Sequence, residues 1–206
     1  DLTYKAFDYA DRDRNPVIVL ADGVIGAMME AVVLPPMRTE LPDKCDWMQD
    51  GCAGRAGRII SSYGSEAQLE PFYKENAAMY ERWEREDTAH EQYMLEDAEF
   101  VIVAYGTSAR VAKTAIRSLR AEGVKAGLIR PITLFPFPKE ALGNLDYSRV
   151  KHVMTVEMTI PALMIDDVAG FVARRAPVSS CVRGGGYVIS PSDVVQAVKN
   201  IADKGV

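Results

Sequence analysis

FVIVAYGTSARVAK, residues 100–113, opens with four apolar residues in a row, then carries Gly-Thr-Ser and a helical pattern. A short uninterrupted apolar run closed by a turn reads as a strand buried on both faces. Behind the turn, Val111, Ala112, Ala115, Ile116 and Leu119 recur at helical spacing, with Lys113, Arg117 and Arg120 outward. Together they make the first half of a βαβ unit. The same grammar repeats to the end of the chain. A strand over 125–130 leads into a proline-rich turn and a short helical piece near 138–143. A strand over 151–157 precedes a helix over 161–174. A shorter strand near 178–182 precedes a helix over 191–203, with Ser190 or Ser192 near its cap and Pro191 at its start. Strands alternating with helices predict a parallel sheet covered on both faces, so residues 98–206 read as a small, doubly wound α/β domain.

The chain upstream is less regular. Leu2, Ala6, Phe7 and Ala10 share one face of a helix that Asn15-Pro16 ends, and VIVLADG (17–23) follows as a buried strand closed by a turn. One helix and one strand cannot make a core, so this pair must dock on something else. A chain that opens inside an amphipathic helix is expected to be a fragment of something longer. Residues 33–65, with Pro35, Pro36, Pro42, DGCAGRAGR and IISSYG, read as a connector or extended arm. Residues 71–96 read as one helix with proline at its start, an apolar edge of Phe72, Tyr73, Ala77, Tyr80, Trp83 and Met94, and acids elsewhere.

Composition narrows the function. The 206 residues are 48% hydrophobic and 26% charged, with net charge −5. Residues 66–99 alone carry eleven acids against Lys74, Arg82 and Arg85. No basic stripe with interleaved aromatics is present, which argues against a nucleic-acid partner. The longest apolar candidate, VIVLADGVIGAMMEAVVL, is broken by Asp22 and Glu30, so no membrane span is expected. Cys45, Cys52 and Cys181 lack CxxC spacing, and His90 and His152 lie far apart, so no zinc or iron–sulfur ligand set is expected. The thiols read as free cysteines of a reducing cytoplasm.

Three stretches carry candidate chemistry. Gly106, Thr107 and Ser108 sit between a strand's carboxyl end and a helix, where exposed N–H groups favour an anion such as a cofactor phosphate. The spacing fits neither the dinucleotide fingerprint nor the P-loop, and Thr107 or Ser108 is also an ordinary N-cap, the reading the residue types favour. GLIRPITLFPFP (127–138) is a stiff, extended exit from the sheet, with Phe135 and Phe137 set to pack on another layer or subunit. Arg130 there reads as an anion anchor or, more commonly, one half of an ion pair. Glu157 ends a strand where open α/β sheets bind ligands, but more often such a residue caps the next helix. No Ser/His/Asp, Cys/His or close dicarboxylate constellation is legible, so no catalytic residue is named.

The run VAYGTSARVAKTAIRSLRAEGVKAGLIRPITLFPFP (103–138), VEM (156–158) and APVSSCVRGGGYVISPSDVV (176–195) resemble the C-terminal region of the α subunit of 2-oxoacid:ferredoxin oxidoreductases. AFDYADRDRNPVIVLADGVIGAMMEAV (6–32) resembles the last helix and strand of that subunit's pyrimidine-binding domain. The resemblance implies a remnant of that domain over 1–34, a connector with an acidic helix over 35–97, and a domain similar to the C-terminal domain of transketolase over 98–206. It further implies a cytoplasmic, multisubunit enzyme that decarboxylates a 2-oxoacid oxidatively to acyl-CoA, passing electrons to ferredoxin. GAMMEAVVLPP (26–36) is most similar to the branched-chain, 2-oxoisovalerate type. Thiamine diphosphate, magnesium, CoA and the iron–sulfur clusters would lie on other segments or subunits, and those subunits would be the partners. This chain would buttress the assembly and be inactive alone. After VEM, relatives show Asn and then Gly-Gln, whereas Thr159, Pro161 and Ala162 stand here, so no functional residue is carried over from that turn. Two other readings compete. One is a self-sufficient nucleotide- or CoA-binding module built on 106–108. The other is a homodimerisation module using the acidic helix and Phe135/Phe137.

Overall fold

The computed structural model describes residues 1–41, 44, 47–48, 51, 53–54 and 65–204. They divide into two compact units, Asp1–Glu75 and Asn76–Val206. Cys45, Cys52, Pro42 and most of the glycine-rich part of the expected connector lie outside the described residues.

The first unit begins with helix α1 (Leu2–Asp13), which stops at Arg14 in the left-handed region, one residue before Asn15-Pro16. Arg38 grips this helix. Its guanidinium pairs with Asp8, donates to the Tyr4 carbonyl at 3.0 Å and lies 4.1 Å over the Tyr4 ring. The strand expected over 17–23 does not form. Residues 15–22 have no regular structure, and Ile18 and Leu20 are 79% and 71% exposed. A β-prone run becomes a strand only when another strand supplies its hydrogen bonds, and no strand occurs among the described residues of this unit. The chain instead turns into a short helix α2 (Gly23–Ala27), whose Ile25 N–H is accepted by Asp22 at 2.8 Å.

Helix α3 (Glu66–Glu86) leads toward the second unit, whose further elements are β1 (His90–Tyr93), β2 (Phe100–Val103), α4 (Gly106–Ala121), β3 (Ala126–Pro131), α5 (Lys139–Gly143), β4 (His152–Glu157), α6 (Ile165–Val172), β5 (Val178–Val182) and α7 (Pro191–Ala202). The five strands lie in the order β1-β3-β2-β4-β5, with β1 antiparallel on β3 and all other pairs parallel. This is the mostly parallel α/β sheet that the alternating pattern predicts. Side chains of β2 alternate between two cores. Phe100 and Ile102 join Leu128, Met154, Val156, Ile116 and Leu119 beneath α4 and α7. Val101 and Val103 join Ile129, Val153, Leu142 and Val168 beneath α5 and α6. Burial on both faces explains why β2 reads as a continuous apolar run.

The single helix expected over 71–96 is corrected. It runs from Glu66 to Glu86, so Pro71 lies inside it and not at its start, and residues 90–93 form the edge strand β1. Thr88 Oγ1 donates to the Glu84 carbonyl at 2.8 Å, and Ala89 then exchanges bonds with the segment after β3: its N–H reaches Thr133 Oγ1 and its carbonyl accepts from Ile132. Glu91 holds the new strand from both sides, paired with Arg130 on β3 at 2.8 Å and with Lys113 on α4. The Lys113 contact, followed by that with Arg130, holds the Glu91 carboxyl below its usual range despite partial desolvation.

Candidate functional site

The loops after β2, β3, β4 and β5 leave the sheet at its carboxyl end, where open parallel sheets place ligands. The first is the Gly106–Ser108 turn. Gly106 has φ +57, in the left-handed region that glycine enters without a Cβ penalty, at the entry to α4. The capping assignment is corrected: the N-cap is Tyr105, with extended backbone and no side-chain capping bond, while Thr107 and Ser108 lie inside the helix. Both are buried, 7% and 5% exposed, so their small polar side chains are packed into the first turn. The helix thus starts two or three positions earlier than a Thr107 or Ser108 cap would place it, with Gly106 as its first residue.

The exit from β3 divides its two phenylalanines. Phe137 stacks on Phe171 of α6 at 5.4 Å and packs against the second core. Phe135 stays 72% exposed, edge-on to Tyr80 and Trp83 of α3 at 5.9 and 6.2 Å. Arg130 makes the ion pair with Glu91 described above. It is therefore no free anion anchor.

Glu157 is the best organised group of this end. It is 4% exposed, and its carboxylate accepts N–H bonds from Leu163 and Met164, both at 2.9 Å. Its other oxygen accepts the Thr155 hydroxyl at 2.9 Å. The carboxylate thus closes the loop 158–164 back onto the strand that precedes it and satisfies orphan donors at the start of α6. Thr155 was invisible as a partner, although residues two apart on a strand share a face. After β5, Ser190 caps α7 in a reciprocal pair with Asp193, whose carboxylate also binds Arg183 at 2.5 Å. That contact with Arg183, with two more from Ser190, holds the Asp193 carboxyl far below its ordinary range.

No group of three or more His, Cys, Asp or Glu that could hold a metal occurs among the described residues. His152 is at the opposite end of the sheet, 7% exposed, with Nε2 2.7 Å from Ser179 Oγ. Its buried Nδ1 has no hydrogen-bond partner. Burial lowers its pKa below the usual 6.5, because a second proton would place an unpaired cation inside the sheet. A depressed pKa means the unfolded chain binds the proton more readily, so this contribution to stability is complete above pH 6.5 and is lost as pH falls through the folded value. Urea unfolding at pH 7.5 and 5.5 is expected to show a larger loss in the wild type than in His152→Asn. Equal losses would remove His152 as the cause.

Comparison with known proteins places this geometry. Residues 98–194 match the family described as pyruvate:ferredoxin oxidoreductase core domain II. The chain is 37% identical over 203 residues to the ketoisovalerate oxidoreductase subunit VorB of Methanothermobacter marburgensis, covering 98% of this chain and 57% of that one. It is 32% identical over 206 residues to the 2-oxoglutarate synthase subunit KorA of Archaeoglobus fulgidus, covering 96% and 56%. The chain thus spans a little over half the length of these curated relatives. Among solved structures, the 2-oxoglutarate:ferredoxin oxidoreductase from Magnetococcus marinus shares its fold, with TM-score 0.56 and 21% identity over 70% of this chain and 25% of that one. Residues 98–194 are thus similar to the pyruvate:ferredoxin oxidoreductase core domain II family, and nearly the whole chain is similar to ketoisovalerate oxidoreductase and 2-oxoglutarate synthase subunits.

Proposed function

We propose that this chain is part of the α subunit of a thiamine diphosphate-dependent 2-oxoacid:ferredoxin oxidoreductase, with 2-oxoisovalerate as the substrate. The observation that carries this reading is the 37% identity to a ketoisovalerate oxidoreductase subunit along 98% of the chain. The enzyme would release carbon dioxide from the 2-oxoacid, transfer the acyl group to CoA and pass two electrons to ferredoxin. The role of this chain is assembly rather than chemistry. At the carboxyl end of its sheet Glu157 is engaged on both oxygens by the chain's own donors, and Thr107 and Ser108 are packed into α4. Among the described residues no cluster of His, Cys, Asp or Glu could hold a metal, and magnesium with the diphosphate, and the iron–sulfur clusters, are assigned to other segments or subunits of a cytoplasmic complex.

Within this reading, residues 1–34 close a pyrimidine-binding domain, residues 35–97 connect it, and residues 98–206 form the buttress. The exposed apolar run Val17–Leu20 supports the first assignment, because such a run is covered in a working assembly. Gly106, Thr107 and Ser108 then form a corner of the fold instead of a phosphate site. Anaerobic affinity capture with this chain as bait, read by mass, tests the proposal. Recovery of a thiamine diphosphate-binding subunit together with an iron–sulfur subunit is the expected result. Recovery of neither, from a lysate in which both are detected, would overturn it.

A further inference from the structure

The two edges of the sheet are unlike. On β1 the outward edge is guarded by polar and charged residues, His90, Glu91 and Gln92, with Glu91 tied to Arg130 and Lys113. On β5 the sequence is Val178-Ser179-Ser180-Cys181-Val182, with no charge, no proline and no bulge in five residues. Natural sheets often blunt an open edge with a charge, a proline or a bulge. This edge has none.

The pairing tells which backbone groups are open. Val153 donates to the Pro177 carbonyl, and Arg183 donates to the Glu157 carbonyl, each at the end of a parallel ladder in register Val153↔Val178 through Glu157↔Val182. In a parallel ladder alternate residues of one strand bond the same neighbour. Pro177, Ser179, Cys181 and Arg183 therefore face β4, and Val178, Ser180 and Val182 turn their N–H and C=O outward. Among the described residues no loop or terminus donates to or accepts from those outward groups. The side chains are not fully covered either: Ser180 is exposed, and Val178 and Val182 are half-buried.

We propose that β5 pairs with the β5 strand of a second copy of this chain, antiparallel about a two-fold axis at Ser180, so that the two sheets continue as one. The row is self-complementary under that operation. Ser180 meets its own counterpart, and Val178 meets Val182 of the copy, so apolar faces apolar and no charge is set against a like charge. Each outward residue is then in a hydrogen-bonded pair, donating and accepting across the axis. The nearest guanidinium, Arg183, is already neutralised by Asp193. A charged peptide would find no complementary group along this row, whereas an identical uncharged row matches it group for group. The proposal is independent of the oxidoreductase reading, since it uses only the geometry of the edge.

The test is the mass of the purified chain in solution across a dilution series, with hydrogen exchange over 178–182. The wild type is expected to associate reversibly to a dimer, with slower exchange over 178–182 at high concentration. Ser180→Pro removes an outward N–H while leaving the β4 ladder intact, an edge position where proline is tolerated. It is expected to weaken the dimer more than about tenfold, since both central donors are lost. Ser180→Lys, which leaves the backbone unchanged and sets two cations at the axis, is expected to do the same. Ser180→Val, which retains the N–H, is expected to keep the dimer. A chain that stays monomeric at the highest concentration overturns the proposal. So does a dimer that survives Ser180→Lys with unprotected 178–182, since its interface then lies elsewhere.

Discussion

Replacing Glu157 with alanine is expected to destabilise the Asn76–Val206 unit by about 3 kcal/mol, the cost of two buried donors, Thr155 Oγ1 and the Met164 N–H, left without an acceptor. The carboxylate takes three bonds, from Thr155 Oγ1 and from the N–H groups of Leu163 and Met164. Alanine removes all three acceptor contacts; Met164 is only 6% exposed, so its N–H is poorly placed to bond water instead, whereas Leu163 is 67% exposed. The loss is softened because the variant no longer has to bury a carboxyl group. Glu157→Gln separates these terms. Its amide oxygen still accepts from the two backbone donors, so it is expected to lose only about 1 kcal/mol. Urea denaturation of the two variants checks the order. A glutamine variant as unstable as the alanine one would mean that charge, and not the acceptor geometry, holds the loop. A wild-type-like alanine variant would show that the loop 158–164 is fixed without Glu157.

Much of the second unit was legible because its strands and helices obey one period each. Phe100–Val103 is an apolar run and His152–Glu157 is buried along its whole length, and α4 and α7 carry clean amphipathic patterns with proline or glycine at their ends. The errors fall where a local signal is outvoted by distant partners. HEQY has no strand-like pattern, and its acidic context continues the helix before it, so β1 exists only because β3 offers an edge and Arg130 and Lys113 offer charge. VIVLADG fails in the opposite sense: strong β propensity, with no strand among the described residues of its unit to pair with, leaves an exposed segment without regular structure. At the carboxyl end of the sheet the residue types pointed to Gly106–Ser108 as a helix start and to Glu157 as a cap for the next helix, and the Glu157 carboxylate does accept N–H bonds at the entry to α6. The sequence could not show that the helix begins at Gly106, which depends on a backbone angle. Nor could it show that Thr155 completes the Glu157 cluster, which depends on strand register.

Gly127→Ala is expected to cost about 3 kcal/mol, at the upper end of what a single overpacked methyl costs. The reason lies in the turn after β1. Met94 adopts φ +52 and brings its carbonyl back over β3, where a Cβ on Gly127 would stand 2.5 Å from that oxygen and 2.8 Å from Leu95 Cδ2. The carbonyl is not free to retreat. Arg120 donates to it at 2.7 Å, and the same guanidinium holds Asp97 at 2.7 Å, so moving Met94 disturbs both contacts. Alanine in place of glycine usually gains roughly 0.4–1 kcal/mol by restricting the unfolded chain, and here that gain is overwhelmed. Gly143 is the control. A Cβ there meets nothing within 4 Å, so Gly143→Ala is expected to be neutral or slightly stabilising. Thermal unfolding of the pair distinguishes the two cases directly. If Gly127→Ala matched Gly143→Ala, the turn at Met94 would have to be loose. The Arg120 bonds that tie β1 to the rest of the sheet would then not be holding it.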